Sequence, residues 1–178
     1  GLDRFMGMVA ALDGKGKLHL YQQNIRVGAF DMKLNLNEDA RPSLAIANGG
    51  AAIFVSDGHE IVVVDTAGKV QKRLSVHYFI GRMACSPNGK LLATCDTETG
   101  VIRVYNGTDL TPTHQRHAID LLSDAAQLQL IADLPPMSAA PGTLAIDDNG
   151  NLAFNISGVV CVTTLKQLDA LPSPQRLL

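Results

Sequence analysis

A unit of short apolar strands joined by tight turns recurs along this chain, and that recurrence constrains the fold more than any other feature. Self-similarity at a fixed period marks repeat architectures, because one unit alone cannot bury its apolar face. The clearest copy runs Arg82-Met-Ala-Cys-Ser86, Pro87-Asn-Gly89, Lys90-Leu-Leu-Ala-Thr-Cys95, a loop through Gly100, then Val101-Ile-Arg-Val-Tyr-Asn106. Pro presets φ, and Asn and Gly accept positive φ, so Pro-Asn-Gly between two β-prone runs predicts a tight turn.

Three further copies follow the same plan. Leu44–Ala47 leads through Asn48-Gly49-Gly50 to 51–56 and, after Asp57-Gly58, to Glu60–Asp65. Leu144–Asp147 leads through Asp148-Asn149-Gly150 to Asn151–Asn155 and, after Ser157-Gly158, to Val159–Thr163. A partial copy opens the chain: Met8–Leu12, Asp13-Gly-Lys-Gly16, then Lys17–Tyr21, without its innermost strand. The ends of the third strands lie at Tyr21, Val64, Tyr105 and Thr163, which gives spacings of 43, 41 and 58 residues. Periods near 40 suit four short strands per unit. The longer gap carries an insertion between about 118 and 140. Polar runs at Arg26–Phe30, Val70–Leu74 and His114–Ala118 predict fourth strands at outer edges, where charge resists pairing with other chains.

The run Ser86–Cys95 with Val101–Asn106 resembles a repeat of the WD40 and YVTN type β-propellers. Asp65 and Asn106 fall where such repeats often carry Asp, and Val64 and Tyr105 where they often carry Trp. The chain has no Trp and no Gly-His pair at the unit starts, so it departs from the WD40 consensus. The resemblance covers roughly 6–118 and 142–165. The run from Ser157 to Leu165 is also similar to small bacterial propeller domains encoded beside a MoxR-type ATPase and a von Willebrand-type partner. The expected fold is therefore all-β, one domain over 1–178, with about three and a half to four propeller blades. Propellers usually hold four to eight blades. The alternatives are a piece of a larger ring, a ring completed by a neighbouring chain or a second copy, or a small closed ring.

Composition is that of an ordinary globular chain, 46% hydrophobic and 18% charged, with a formal charge of −2. Its few Lys and Arg are scattered rather than striped, so no nucleic-acid partner is expected. No apolar run approaches the roughly 20 residues that span a bilayer, so no membrane association is expected. The first residues, Gly1 to Met6, do not read as a signal peptide, and the absence of an initiator Met fits a processed or excised piece. Cys85, Cys95 and Cys161 make an odd count with no C-x-x-C pair, which reads as reduced thiols in a cytoplasmic setting.

Candidate chemistry is sparse. Asp147-Asp148-Asn149-Gly150-Asn151 resembles part of a calcium loop, but no distant Glu follows and a hairpin turn uses the same residues. His114 and His117 could share one face of a helix, yet no third ligand sits at zinc spacing, and a polar outer strand or loop is the expected reading. No G-x-S-x-G elbow is present. Gly14-x-Gly16 is too short for a dinucleotide loop and opens a strand rather than a helix. No cofactor and no enzymatic activity are therefore expected; a propeller enzyme would build its site from several blades around a central mouth.

The insertion carries the functional expectation. Its first part, from His117, predicts a short helix burying Ile119, Leu122 and Ala126; Gln127-Leu-Gln-Leu-Ile131 alternates like a strand, and Pro135-Pro136 stops either. Long insertions on rigid scaffolds often carry binding, so Ile119, Leu122, Leu128 and Leu130 are candidate protein-binding residues. Against that stands simple packing of the leucines on a neighbouring unit. Leu128→Glu with Leu130→Glu separates the two: lost binding with the fold intact means docking, and unfolding means packing. The resulting expectation is an interaction scaffold with a protein partner.

Overall fold

The computed structural model describes residues 7–36, 42–47, 52–123 and 141–170. Strands recur where the repeat predicts them, in four antiparallel sheets. The first holds β1 (Met8–Leu12), β2 (Lys17–Gln22) and β3 (Ile25–Asp31). The second holds β4 (Ser43–Ile46), β5 (Ile53–Ser56), β6 (Glu60–Val64) and β7 (Val70–Ser75). The third holds β8 (Ile80–Cys85), β9 (Leu91–Asp96), β10 (Val101–Asn106) and β11 (Pro112–His117). The fourth holds β12 (Thr143–Ile146), β13 (Asn151–Ile156) and β14 (Val159–Thr164).

The turns have identifiable causes. Gln23-Asn24 and Ser157-Gly158 are two-residue hairpin loops in which both residues have positive φ, the geometry that matches strand twist. At Asp13, Asp65 and Asp147 one carboxylate oxygen accepts backbone N–H groups two and four residues on, at 2.7–2.9 Å, which closes the loop before the next strand begins. Ser86 does the same work in the third sheet, its hydroxyl accepting from the Leu91 amide at 3.1 Å.

Chain order is also packing order. Each sheet turns one face forward, toward its successor, and one backward. Ala10, Leu18, Leu20 and Met32 of the first sheet and its following loop meet Ile53, Val55, Val62 and Val64 of the second. Ala45, Phe54, Ile61 and Val63 meet Ile80, Met83, Leu92 and Tyr105 of the third. Ala93, Cys95, Ile102 and Val104 meet Ile146, Leu152, Phe154 and Ile156 of the fourth. Three apolar cores thus lie between four sheets. The inner strands β4, β8 and β12 run side by side, and β1 lies against β4.

Two outcomes differ from the sequence expectation. After β14, residues Leu165–Gln167 form a 3-10 turn, and β15 (Asp169–Ala170) then pairs with β11 of the third sheet. No fourth strand for the last sheet is seen among the described residues. The polar edge of β11 holds this return, with the Arg116 guanidinium donating to the Gln167 carbonyl at 3.1 Å and lying 3.8 Å from Asp169. The expected helix at the start of the insertion is a single 3-10 turn, Ala118–Leu121. Its Leu122 is buried in the core between the third and fourth sheets, and Ile119 packs on the same core half-buried. Leu128 and Leu130 lie outside the described residues.

Candidate functional site

The fourth sheet presents a forward face that no other sheet among the described residues covers. Register places Thr143, Asn155 and Val160 in one row across β12, β13 and β14, and Ala145, Ala153 and Val162 in the next. Alternation sends their neighbours Leu152, Phe154 and Ile156 backward into the core. Val160 and Val162 are each 72% exposed.

The repeat spacing shows what these two valines correspond to. Leu18 and Leu20, Ile61 and Val63, and Ile102 and Val104 stand at the same two third-strand positions of the preceding sheets. Those six side chains are 0–6% exposed, each pair beneath the next sheet. Covering a side chain of this size stabilises by about 1.5–3 kcal/mol, so an uncovered pair is an apolar surface with an unmet use.

The geometry around the face is fixed locally. Thr143 Oγ1 donates to Asn155 Oδ1 at 2.9 Å, and the Gly142 amide to the Asn155 carbonyl at 2.9 Å, which ties β12 to β13. Asp147 accepts from the Asn151 side chain at 2.6 Å and from the Asn149 and Asn151 amides, and this hydrogen bonding holds its carboxyl below the usual carboxylate range. Both oxygens of the would-be calcium loop's first carboxylate are thus engaged by the turn itself. Among the described residues no group of three or more His, Cys, Asp or Glu could hold a metal ion. His114 and His117 lie three apart on a strand, not a helix, so they point to opposite faces.

A second polar constellation sits in the third sheet. The Tyr78 hydroxyl hydrogen-bonds Thr94 Oγ1 at 3.1 Å and the Tyr105 hydroxyl, and the Arg103 guanidinium lies 3.9 Å above the Tyr78 ring and 3.8 Å from Asp96. Asp96 in turn accepts from the Glu98 amide at 2.9 Å and Thr99 Oγ1 at 2.6 Å. Burial pushes both phenols up, so they stay neutral donors and acceptors within the core. This network lies on the backward face beside the second sheet, where it fixes the contact between the sheets. Burial likewise pushes the Cys85 and Cys95 thiols up to about 12, which leaves them protonated and poor nucleophiles.

Of the candidate binding residues, Ile119 and Leu122 pack into the core between the third and fourth sheets rather than on the uncovered face. The alternation Asn151-Leu-Ala-Phe-Asn-Ile156 carries part of the signal, with polar and small residues on one side and large apolar ones on the other. Val159-Val-Cys-Val162 carries none, since both of its faces are apolar. Among the described residues, no helix is long and apolar enough to cross a membrane.

No family model and no curated protein matches the chain. Solved structures do match. The Swd1 (Cps50) β-propeller domain of Myceliophteria thermophila superposes with a TM-score of 0.65 at 11% identity, covering 97% of this chain and 52% of that one. KlAtg21, solved in complex with the coiled-coil of AgAtg16, gives 0.63 at 17% identity, covering 94% and 54%. Hydrazine synthase of Kuenenia stuttgartiensis gives 0.53 at 16%, covering 80% and 38%. The chain spans about half the length of the first two and less of the third. Identities this low speak for the fold and not for an activity. Sheet order, the cores between sheets and these superpositions agree: the chain has the β-propeller fold, similar to WD40-type propeller domains.

Proposed function

We propose that this chain is a non-enzymatic interaction scaffold, a propeller module that meets another polypeptide through the forward face of its last sheet. One observation carries the reading: Val160 and Val162 stand uncovered at positions that three preceding sheets bury completely or nearly so. A rigid, flat, β-branched surface rimmed by Thr143, Asn151 and Asn155 has the makeup of a protein-binding patch, apolar at its centre and polar around it. The solved complex of KlAtg21 with a coiled-coil supports the same reading by analogy of fold. The similarity of the run from Ser157 to Leu165 to propeller domains encoded beside an ATPase suits a module that works inside an assembly.

A photo-crosslinking residue at Val162, compared with one at exposed Lys33, tests it. The scaffold reading expects a discrete crosslinked polypeptide from position 162 and none from position 33. Equal, diffuse labelling from both positions would overturn it.

A further inference from the structure

The interaction reading leaves the identity of the covering polypeptide open, and the repeat constrains it. Three times within this chain a forward face is covered by the backward face of the next sheet. The first sheet has a backward face of its own, with Val9, Tyr21 and Arg26 in one row and Ala11, His19 and Ala29 in the next. None of these six belongs to the buried core, whereas Ala10, Leu18 and Leu20 on the other side do.

The repeat spacing also shows that this backward face is of a covering kind. His19 and Tyr21 correspond to Val62 and Val64 of the second sheet and to Arg103 and Tyr105 of the third. Val62 and Val64 cover Leu18 and Leu20; Arg103 and Tyr105 lie on the face that covers Ile61 and Val63. A basic side chain with Tyr two residues on is therefore already present on a covering face of this chain, where Tyr105 packs in the core at 3% exposure and Arg103 stacks on the Tyr78 ring. The first sheet repeats that pair with His19 and Tyr21.

We propose that the forward face of the fourth sheet is covered by the first sheet of a second copy of this chain, the two copies joining head to tail. The inference rests on the interaction reading above and names its partner. The contact is heterologous: Val160 and Val162 of one copy meet Tyr21, His19, Val9 and Ala11 of the other. Heterologous contacts close into rings when the rotation permits.

Sedimentation of the full chain tests this, with Val162→Lys to block one face and Tyr21→Glu, or the more exposed Ala11→Lys, to block the other. The unmodified chain is expected at about twice 18.9 kDa and each variant alone at 18.9 kDa, with its circular dichroism unchanged. Mixing Val162→Lys with Tyr21→Glu is expected to restore the doubled mass, because each supplies the face the other lacks. A doubled mass that survives in the first-sheet variants would overturn the proposal in favour of a symmetric contact between two last sheets. A single mass for the unmodified chain, while position 162 still crosslinks a different polypeptide, would overturn the second copy and leave the scaffold reading standing. A single mass with no crosslink would overturn both.

Discussion

The third and fourth sheets are built from nearly the same local parts. Each has an inner strand, a turn closed by a polar side chain and a glycine, and two further strands in matching register. Their third strands place β-branched residues at equivalent positions, Ile102 and Val104 in one, Val160 and Val162 in the other. One pair lies under a neighbouring sheet and the other is open. The local sequence of a strand thus specifies that a face is apolar; what covers it is decided by the next unit.

Truncating the equivalent β-branched side chain in each sheet separates the two. Ile102→Ala should cost about 2–5 kcal/mol in urea unfolding, whereas Val160→Ala should stay within about 0.5 kcal/mol at concentrations where the chain is monomeric. Equal losses would mean that the last sheet's face is packed after all.

Backbone crowding should divide the sheets in the same way. In the third sheet, a Cβ at Gly107 would sit 2.0 Å from the Gly89 carbonyl oxygen, so Gly107→Ala should cost about 1–3 kcal/mol through forced backbone shifts. In the fourth, a Cβ at Gly158 meets nothing within 4 Å, and only its φ of +88° is strained, so Gly158→Ala should cost about 1–2 kcal/mol. Thermal unfolding of the pair gives the order.

Thiol chemistry sharpens the contrast without changing stability. Cys95 is fully buried with its thiol pushed up to about 12, while Cys161 of the fourth sheet is part-exposed and raised by burial as well. At pH 8 a disulfide reagent should reach Cys161 first, and Cys95 only as fast as the chain unfolds. Simultaneous reaction of both would show that the third core opens as readily as the fourth sheet.

The smallest expected effect is on acid stability. Asp147 closes the fourth sheet's turn with a carboxyl held below its ordinary 3.8, so its contribution is present above that value and is lost as pH falls through the folded-state value. The third sheet uses uncharged Ser86 at the same place. Asp147→Ser should therefore flatten the acid limb of a urea-midpoint profile below pH 3.8, and an unchanged limb would show the turn carries no such term.

Much of the fold was legible because turn chemistry punctuates it. Val101–Asn106 and Met8–Leu12 form strands over the residues that the pattern marks, and the polar run from His114 forms an outer strand as expected. The return of Asp169–Ala170 to β11 was not legible, since two residues carry no periodicity and the pairing is set by the neighbouring sheet's free edge. In the insertion, apolar spacing marked Ile119 and Leu122 without saying whether they face a partner or the core; the structure packs Leu122 inside. The uncovered face was hidden for a related reason. A strand buried on both sides is apolar on both, so Val159-Val-Cys-Val162 reads the same whether or not a neighbour follows.

Val104 lies beneath a sheet and Val162 does not. Labelling Val104→Cys and Val162→Cys with a bulky maleimide, each in a chain whose own cysteines are replaced by alanine, tests it most directly. Rapid labelling is expected at 162 in dilute solution, and labelling at 104 only through unfolding. Slow labelling at both positions in the dilute monomer would contradict it.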